Sequence, residues 1–109
     1  MLDKSNSNSN GKVRVNKLTL DVENGQISGP DREHKLRPME RRLLQVLLQH
    51  PNQVVSRADL MKKVWQTDFL EDTRTLEVHI CLLRRKIEMN PHNPRYLRTM
   101  RGVGYSFCF

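Results

Sequence analysis

Cysteine, aromatic residues and long apolar runs are all scarce in this chain, and each scarcity argues against a class of protein. The two cysteines, Cys81 and Cys108, stand far apart in a chain of 109 residues. With no CxxC pair and no Cys/His cluster, a structural zinc site is not expected, and the thiols read as reduced and partly buried, as in an intracellular protein. Aromatics make up 6% of the residues, too few for a surface that stacks unpaired bases, which weighs against RNA binding. No apolar stretch approaches the ~20 residues of a membrane span. Residues 1–11 lack the hydrophobic segment of a signal peptide, so a cytoplasmic domain is expected. Neither a Ser/His/Asp set, nor paired carboxylates, nor a P-loop is present, so the chain is not expected to be an enzyme or to need a cofactor or metal. Acidic residues are also in deficit, 12 against 19 basic, for a net charge of +7. Together with a pI near 9.9 this points to a polyanionic partner, nucleic acid first and an anionic membrane surface second.

What is present fits one domain. Residues 1–11 are polar and Ser/Asn-rich and read as a flexible tail or linker, leaving 12–109 as the folded unit. From 12 to 37 the chain alternates and turns. Val13 and Val15, then Leu18, Leu20 and Val22, mark strands, Glu23-Asn24-Gly25 a turn, and 26–28 and 33–36 two further short strands. Three or four antiparallel strands are expected. Pro38 opens a helix over 38–50 from the N1 position, with Leu43, Leu44, Val46, Leu47 and Leu48 facing a core and Met39 to Arg42 as early polar surface. Pro51-Asn52 ends it. Val54-Val55 reads as a short strand. Ser56 caps a second helix, 57 to 64 or 65, with Asp59 completing a near capping box and Leu60, Val64 and Met61 on its core face. At the C-terminus, runs 96–100 and 105–109 flank Arg101-Gly102-Val103-Gly104, a hairpin with Arg101 at its tip.

Between the second helix and the hairpin lies 73–88, TRTLEVHICLLRRKIE. Leu76, Ile80, Leu83 and Ile87 recur at helical spacing and form a stripe to be buried. Asp72 or Thr73 can cap its start. Turned away from the stripe are Arg74, Val78, Cys81 and Arg85, bordered by Glu77 and Arg84. Alone, such a face is either a solvated basic surface or a surface that enters a DNA groove. Context decides. From 73 to 101 there are seven basic residues against two acidic ones. Three helices followed by a hairpin form a winged helix, in which the third helix takes the major groove and the hairpin reaches the backbone or minor groove. The expected class is α+β, a winged helix-turn-helix with a small N-terminal antiparallel sheet, three helices and a C-terminal β-hairpin wing.

The residues that carry these elements also resemble a known family. Pro38-x-Glu40 with Leu43-Leu44, Val54-Val55-Ser56-Arg57, Val64-Trp65, Thr73-Arg74-Thr75-Leu76-x-Val78-His79-Ile80, Leu83-Arg84-Arg85-Lys86 and Thr99-x-Arg101-Gly102-x-Gly104-Tyr105 resemble the OmpR/PhoB effector domain of bacterial two-component response regulators. The resemblance runs over about 12–109. It implies backbone contacts by Arg57, Trp65, Arg74, Thr75, His79, Arg84, Arg85, Thr99 and Tyr105, with Trp65 open to a purely core role instead. Glu77, Val78, Cys81, Leu82 and Arg101 then face base edges or the minor groove. A carboxylate can accept from cytosine N4 and Val78 can touch a thymine methyl. The pair Cys81-Leu82 departs from the family pattern, which places polar or basic side chains there, so base preference should be weaker or tilted toward thymine methyls.

The resemblance further implies head-to-tail binding to direct repeats of double-stranded DNA in the bacterial cytoplasm, at the nucleoid. It also implies a receiver domain and sensor kinase upstream, and contact with RNA polymerase through the acidic loop 66–72, by Asp68, Glu71 and Asp72. In that loop Phe69 and Leu70 are either core or offered to a partner. Two other readings stay in view: a protein-interaction winged helix, and the DNA-binding domain of a ToxR-like membrane-anchored regulator.

Overall fold

A computed structural model describes residues 12–15, 17–30, 32–67 and 74–109. The expectations for the tail 1–11 and for Asp68, Phe69, Leu70, Glu71, Asp72 and Thr73 lie outside the described residues.

The N-terminal strands are β1 (Lys12–Val15), β2 (Leu18–Asp21), β3 (Gln26–Gly29) and β4 (Arg32–Lys35), joined in chain order into one antiparallel sheet. Val13 stands opposite Leu20, and Leu20 opposite Ile27. That register puts the alternating apolar residues on one face, where Val15, Leu18, Leu20 and Ile27 are buried. In the β2–β3 turn the Asp21 carboxylate accepts from the Asn24 amide and side chain at 3.1 and 2.8 Å. Burial pushes this carboxyl up, but the Asn24 hydrogen bonds and the charges of Lys12 and Arg41 outweigh it and hold it below its ordinary value of 3.8.

Helix α1 (Pro38–Leu48) begins at the proline and stops two residues short of the expected end, because the Gln49 and His50 amides close its last turn before Pro51. Leu43, Leu44 and Leu47 are fully buried, while Val46 and Leu48 are only partly so. The expectation of polar surface over 39–42 fails at Glu40, which is 0% exposed. Its carboxylate accepts from the Arg37 amide at 2.9 Å and pairs with the Lys86 ammonium. A carboxylate can be buried there because its charge is partnered.

Strand β5 (Val54–Ser56) leads into α2 (Arg57–Trp65), whose Ser56 cap accepts from the Asp59 amide at 3.1 Å. The third helix, α3 (Arg74–Ile87), buries Leu76, Ile80, Leu83 and Ile87, each at most 1% exposed. Each such side chain contributes about 2 kcal/mol of burial. The α1 helix packs against both α2 and α3.

The hairpin is β6 (Leu97–Met100) and β7 (Gly104–Phe107), with β5 paired on the far side of β7, so the wing belongs to a three-stranded sheet of order β5-β7-β6. Two glycines make it possible. Gly102 turns with φ +78°, a conformation that side chains resist, and a Cβ on Gly104 would stand 2.0 Å from the Val55 carbonyl oxygen. The second contact lets β7 press against β5 and ties the wing to the start of α2.

Candidate nucleic-acid interface

Because its apolar stripe is buried, α3 must turn the opposite face outward. Arg74, Thr75, Glu77, Val78, Cys81 and Arg85 are exposed, Val78 to 54%, and Leu82 is half-buried among them. Arg74, Glu77, Val78, Cys81, Leu82 and Arg85 line a single shallow depression along the helix. Charged side chains, Arg74, Glu77 and Arg85, and apolar ones, Val78, Cys81 and Leu82, share its lining. The structure therefore brings together most of the residues expected to read DNA, on a 14-residue helix about 21 Å long, a length that fits along a major groove.

The flanks are more constrained. His79 turns its Nδ1 onto the Thr75 carbonyl oxygen at 2.7 Å, and its ring meets Trp65 edge-on at 5.2 Å between centroids. For that bond Nδ1 carries the proton, since a carbonyl oxygen only accepts. Trp65 is half-buried, packed on the core and against His79, so it is not simply an interior residue. Arg84, half-buried, sends Nε to the Leu97 carbonyl at 2.9 Å and a terminal nitrogen to the Thr99 hydroxyl at 2.6 Å. Arg101 is exposed at the hairpin turn, beside an exposed Val103.

Two expected contacts lie deeper. Tyr105 is 4% exposed, and Arg57, whose charge acts on it, is itself half-buried. Burial pushes the Tyr105 phenol above its ordinary value of 10.0; Arg57 and Arg84 oppose that shift and Glu77 adds to it. The central position of β7 explains the placement: it lies between β5 and β6 and packs against α1, so all four of its residues are buried. Thr99, the cross-strand partner of Tyr105 on the edge strand, stays exposed. Asp68, Glu71 and Asp72 are not among the described residues. Among the described residues no group of three His, Cys, Asp or Glu side chains is arranged to hold a metal ion, and no helix is long and apolar enough to cross a membrane.

Sequence reasoning missed the residues that set the pose of α3. Glu88, 3% exposed, follows the last helical residue and accepts from the amides of Arg95 and Leu97 at 2.7 Å and of Tyr96 at 3.0 Å. Lys86 donates to the Lys35 carbonyl at 3.0 Å besides pairing with Glu40, and Arg32 reaches the Lys86 and Glu88 carbonyls at 3.3 and 3.5 Å. One signal was available. An acid at a helix C-terminus opposes the helix dipole, so Glu88 needed donors from elsewhere.

Three helices, a grooved outward face on the third and a glycine-built wing beside it define a winged-helix DNA-binding domain. Residues 31–107 match the family model described as "Transcriptional regulatory protein, C terminal". The chain belongs to this family, the OmpR/PhoB-type DNA-binding domains of transcriptional response regulators, a class that is not enzymatic. It is 47% identical over 93 residues to the alkaline phosphatase synthesis transcriptional regulatory protein SphR of Synechococcus elongatus, covering 85% of this chain and 36% of that protein. Among solved structures it is similar to the C-terminal domain of the nisin resistance regulator NsrR, with 40% identity, 88% of this chain and 96% of that one covered, and a TM-score of 0.67. The RstA DNA-binding domain of Klebsiella pneumoniae, solved in complex with the RstA box, superposes with a TM-score of 0.76 at 27% identity over 89% of this chain and 96% of that one. The chain spans about a third to a half of the length of the curated relatives it matches.

Proposed function

We propose that this domain reads duplex DNA by laying the Arg74–Arg85 face of α3 in the major groove and the Arg101 turn on the adjacent backbone or minor groove. The observation that carries the reading is the single depression shared by Arg74, Glu77, Val78, Cys81, Leu82 and Arg85, with an exposed arginine on the neighbouring wing. Arg74, Thr75 and Arg85 supply N–H and O–H donors to phosphates along the flanks, with the His79 ring beside them, where the helix N-terminus adds its own positive end. Glu77 and Val78 face base edges. Cys81 and Leu82 offer mostly van der Waals contact, which favours thymine methyls and a modest specificity ratio. The RstA structure, a related domain bound to its box, supports duplex DNA as the ligand class.

In the longer protein we infer a receiver domain ahead of this one, answering to a sensor kinase, and head-to-tail binding on direct repeats. The relatives are about two to three times as long as this chain and carry names of transcriptional regulation and sensory transduction, which fits such an arrangement. The loop 66–72, with Asp68, Glu71 and Asp72, is the polymerase-facing surface in this reading.

Selection from a random duplex library with the purified domain tests it. The expected product is a motif repeated in the same orientation, about one helical turn apart, with affinity that falls steeply as salt rises. Equal affinity for selected and unselected duplexes at moderate salt would overturn sequence-selective reading, and an inverted repeat would overturn the head-to-tail arrangement.

A further inference from the structure

We infer that Arg84 is a positioning residue that, with Glu88, locks the wing to the recognition helix, and that it contributes to DNA binding through Arg101 rather than by a contact of its own. This rests on the proposed reading that the α3 face and the wing share one duplex.

Arg84 and Glu88 stand four residues apart on the same flank of α3, so their side chains stack on one stripe. They carry opposite charges and hold opposite kinds of backbone group. The Glu88 carboxylate takes the amides of Arg95, Tyr96 and Leu97, where the chain enters β6. The Arg84 guanidinium takes the Leu97 carbonyl and the Thr99 hydroxyl one turn of the pleat further on. Leu97 thus has its carbonyl bonded to a side chain of α3 and its amide to the side chain of Glu88, one residue past the end of that helix. A strand gripped by donors and acceptors at successive residues can neither slide nor roll against the helix. β6 is also the edge strand of its sheet, and without these partners it would be held from one side only.

The consequence concerns binding. The helix face and the Arg101 turn act as two linked contacts, and the benefit of the second depends on how closely the linkage matches the span. A loosened wing would have to be ordered on binding, which offsets what Arg101 gains at the DNA. The forked geometry of Arg84 and the 2.6 Å bond to Thr99 direct both residues at each other.

The test uses the whole 109-residue chain, a duplex isolated from the random library by this domain, and variants Arg84→Ala, Thr99→Val, Thr99→Ser and Arg101→Ala with their doubles. Without DNA, amide exchange in the 98–104 segment is expected to quicken at least tenfold in Arg84→Ala and Thr99→Val, but not in Thr99→Ser or Arg101→Ala. With DNA, Arg84→Ala alone is expected to weaken binding about tenfold, yet less than twofold in the Arg101→Ala background. Wing exchange left at the wild-type rate in both latch variants overturns the clamp. Equal fold losses in the two backgrounds, with a salt slope reduced by about 0.9 for Arg84→Ala in each, overturn the positioning role and make Arg84 a phosphate contact. If Arg84→Ala does not fold, Thr99→Val with its serine rescue decides both arms. A wild-type chain that selects no duplex defeats the DNA reading, and with it the role assigned to Arg84 in binding, while the exchange arm still tests the clamp.

Discussion

The two ends of α3 are built on opposite terms. Toward its C-terminus the helix is tethered: Arg84 and Glu88 hold the wing, Lys86 pairs with buried Glu40, and Arg32 closes the last carbonyls. Nearer its N-terminus, Arg74, Thr75, Glu77 and Val78 are exposed, with His79 folded back on the carbonyl of its own preceding turn. The same amphipathic helix therefore divides its polar side chains by position rather than by type. Charges near the C-terminus fix where the helix lies, and charges nearer the N-terminus, Arg74 and Glu77, are exposed. A reading head needs both, since donors placed loosely cannot discriminate between bases.

The largest effects should follow from breaking the tethered end. Lys86→Met leaves the fully buried Glu40 carboxylate without its counter-charge, and a loss of about 3 kcal/mol or more is expected in denaturant unfolding. Replacing both partners, Glu40→Leu with Lys86→Met, should recover more than half of that loss, because the desolvation of each charge disappears with it. A double variant no more stable than the single one would mean that the pair is not the source. Next in size, Glu88→Ala strands the Arg95, Tyr96 and Leu97 amides, and a loss of about 2–3 kcal/mol is expected by the same measurement. A loss below about 0.5 kcal/mol would show that water replaces the carboxylate.

This division also explains what was legible in the sequence. The buried stripe of α3, the proline start of α1, the Ser56 cap and the Arg101-Gly102 turn all announce themselves by local chemistry or period, and each is where the pattern put it. So is the outward face that remains once the stripe is buried. The tethers are different. Glu40 meets Lys86 across 46 residues of chain and Arg32 meets Lys86 across 54, separations at which no periodicity speaks. Glu40 reads as surface from its neighbours Arg41 and Arg42, and only the packing of α1 against α3 reveals it as interior. Tyr105 was legible as a wing residue, but its depth depended on β7 lying between β5 and β6 and packing against α1. Long-range pairing decides these cases, and a single sequence carries no direct trace of it.

On the outward face of α3 and at the wing tip the expected effects fall on binding and spare the fold. Arg101→Ala should weaken binding to the selected duplex about tenfold, a typical cost for one groove or phosphate contact, with a thermal melt within about 2 °C of wild type. The salt slope should fall by about 0.9 if the lost contact is to phosphate. Arg85→Ala, on the outward face between the two regimes, should behave alike. A large drop in melting temperature for either would erase the distinction between the ends, because it would make an exposed arginine part of the scaffold.

The smallest effect lies beneath the junction of the two ends, at Tyr105. Its phenol is buried, and burial raises it above its ordinary value of 10.0 against the pull of Arg57 and Arg84. In the unfolded chain the phenol ionises near that ordinary value, whereas in the folded domain it keeps its proton to higher pH. The unfolded state therefore binds fewer protons in that window, so the contribution is fully present below pH 10.0 and is lost as pH rises through the folded value. Tyr105→Phe should change stability by less than about 1 kcal/mol at neutral pH, and should flatten the decline above pH 10. Denaturant unfolding of both proteins from pH 8 to 11 measures this directly. If the two curves run parallel, the alkaline loss comes from elsewhere, and the hydroxyl of Tyr105 is no part of what joins the wing to the helices.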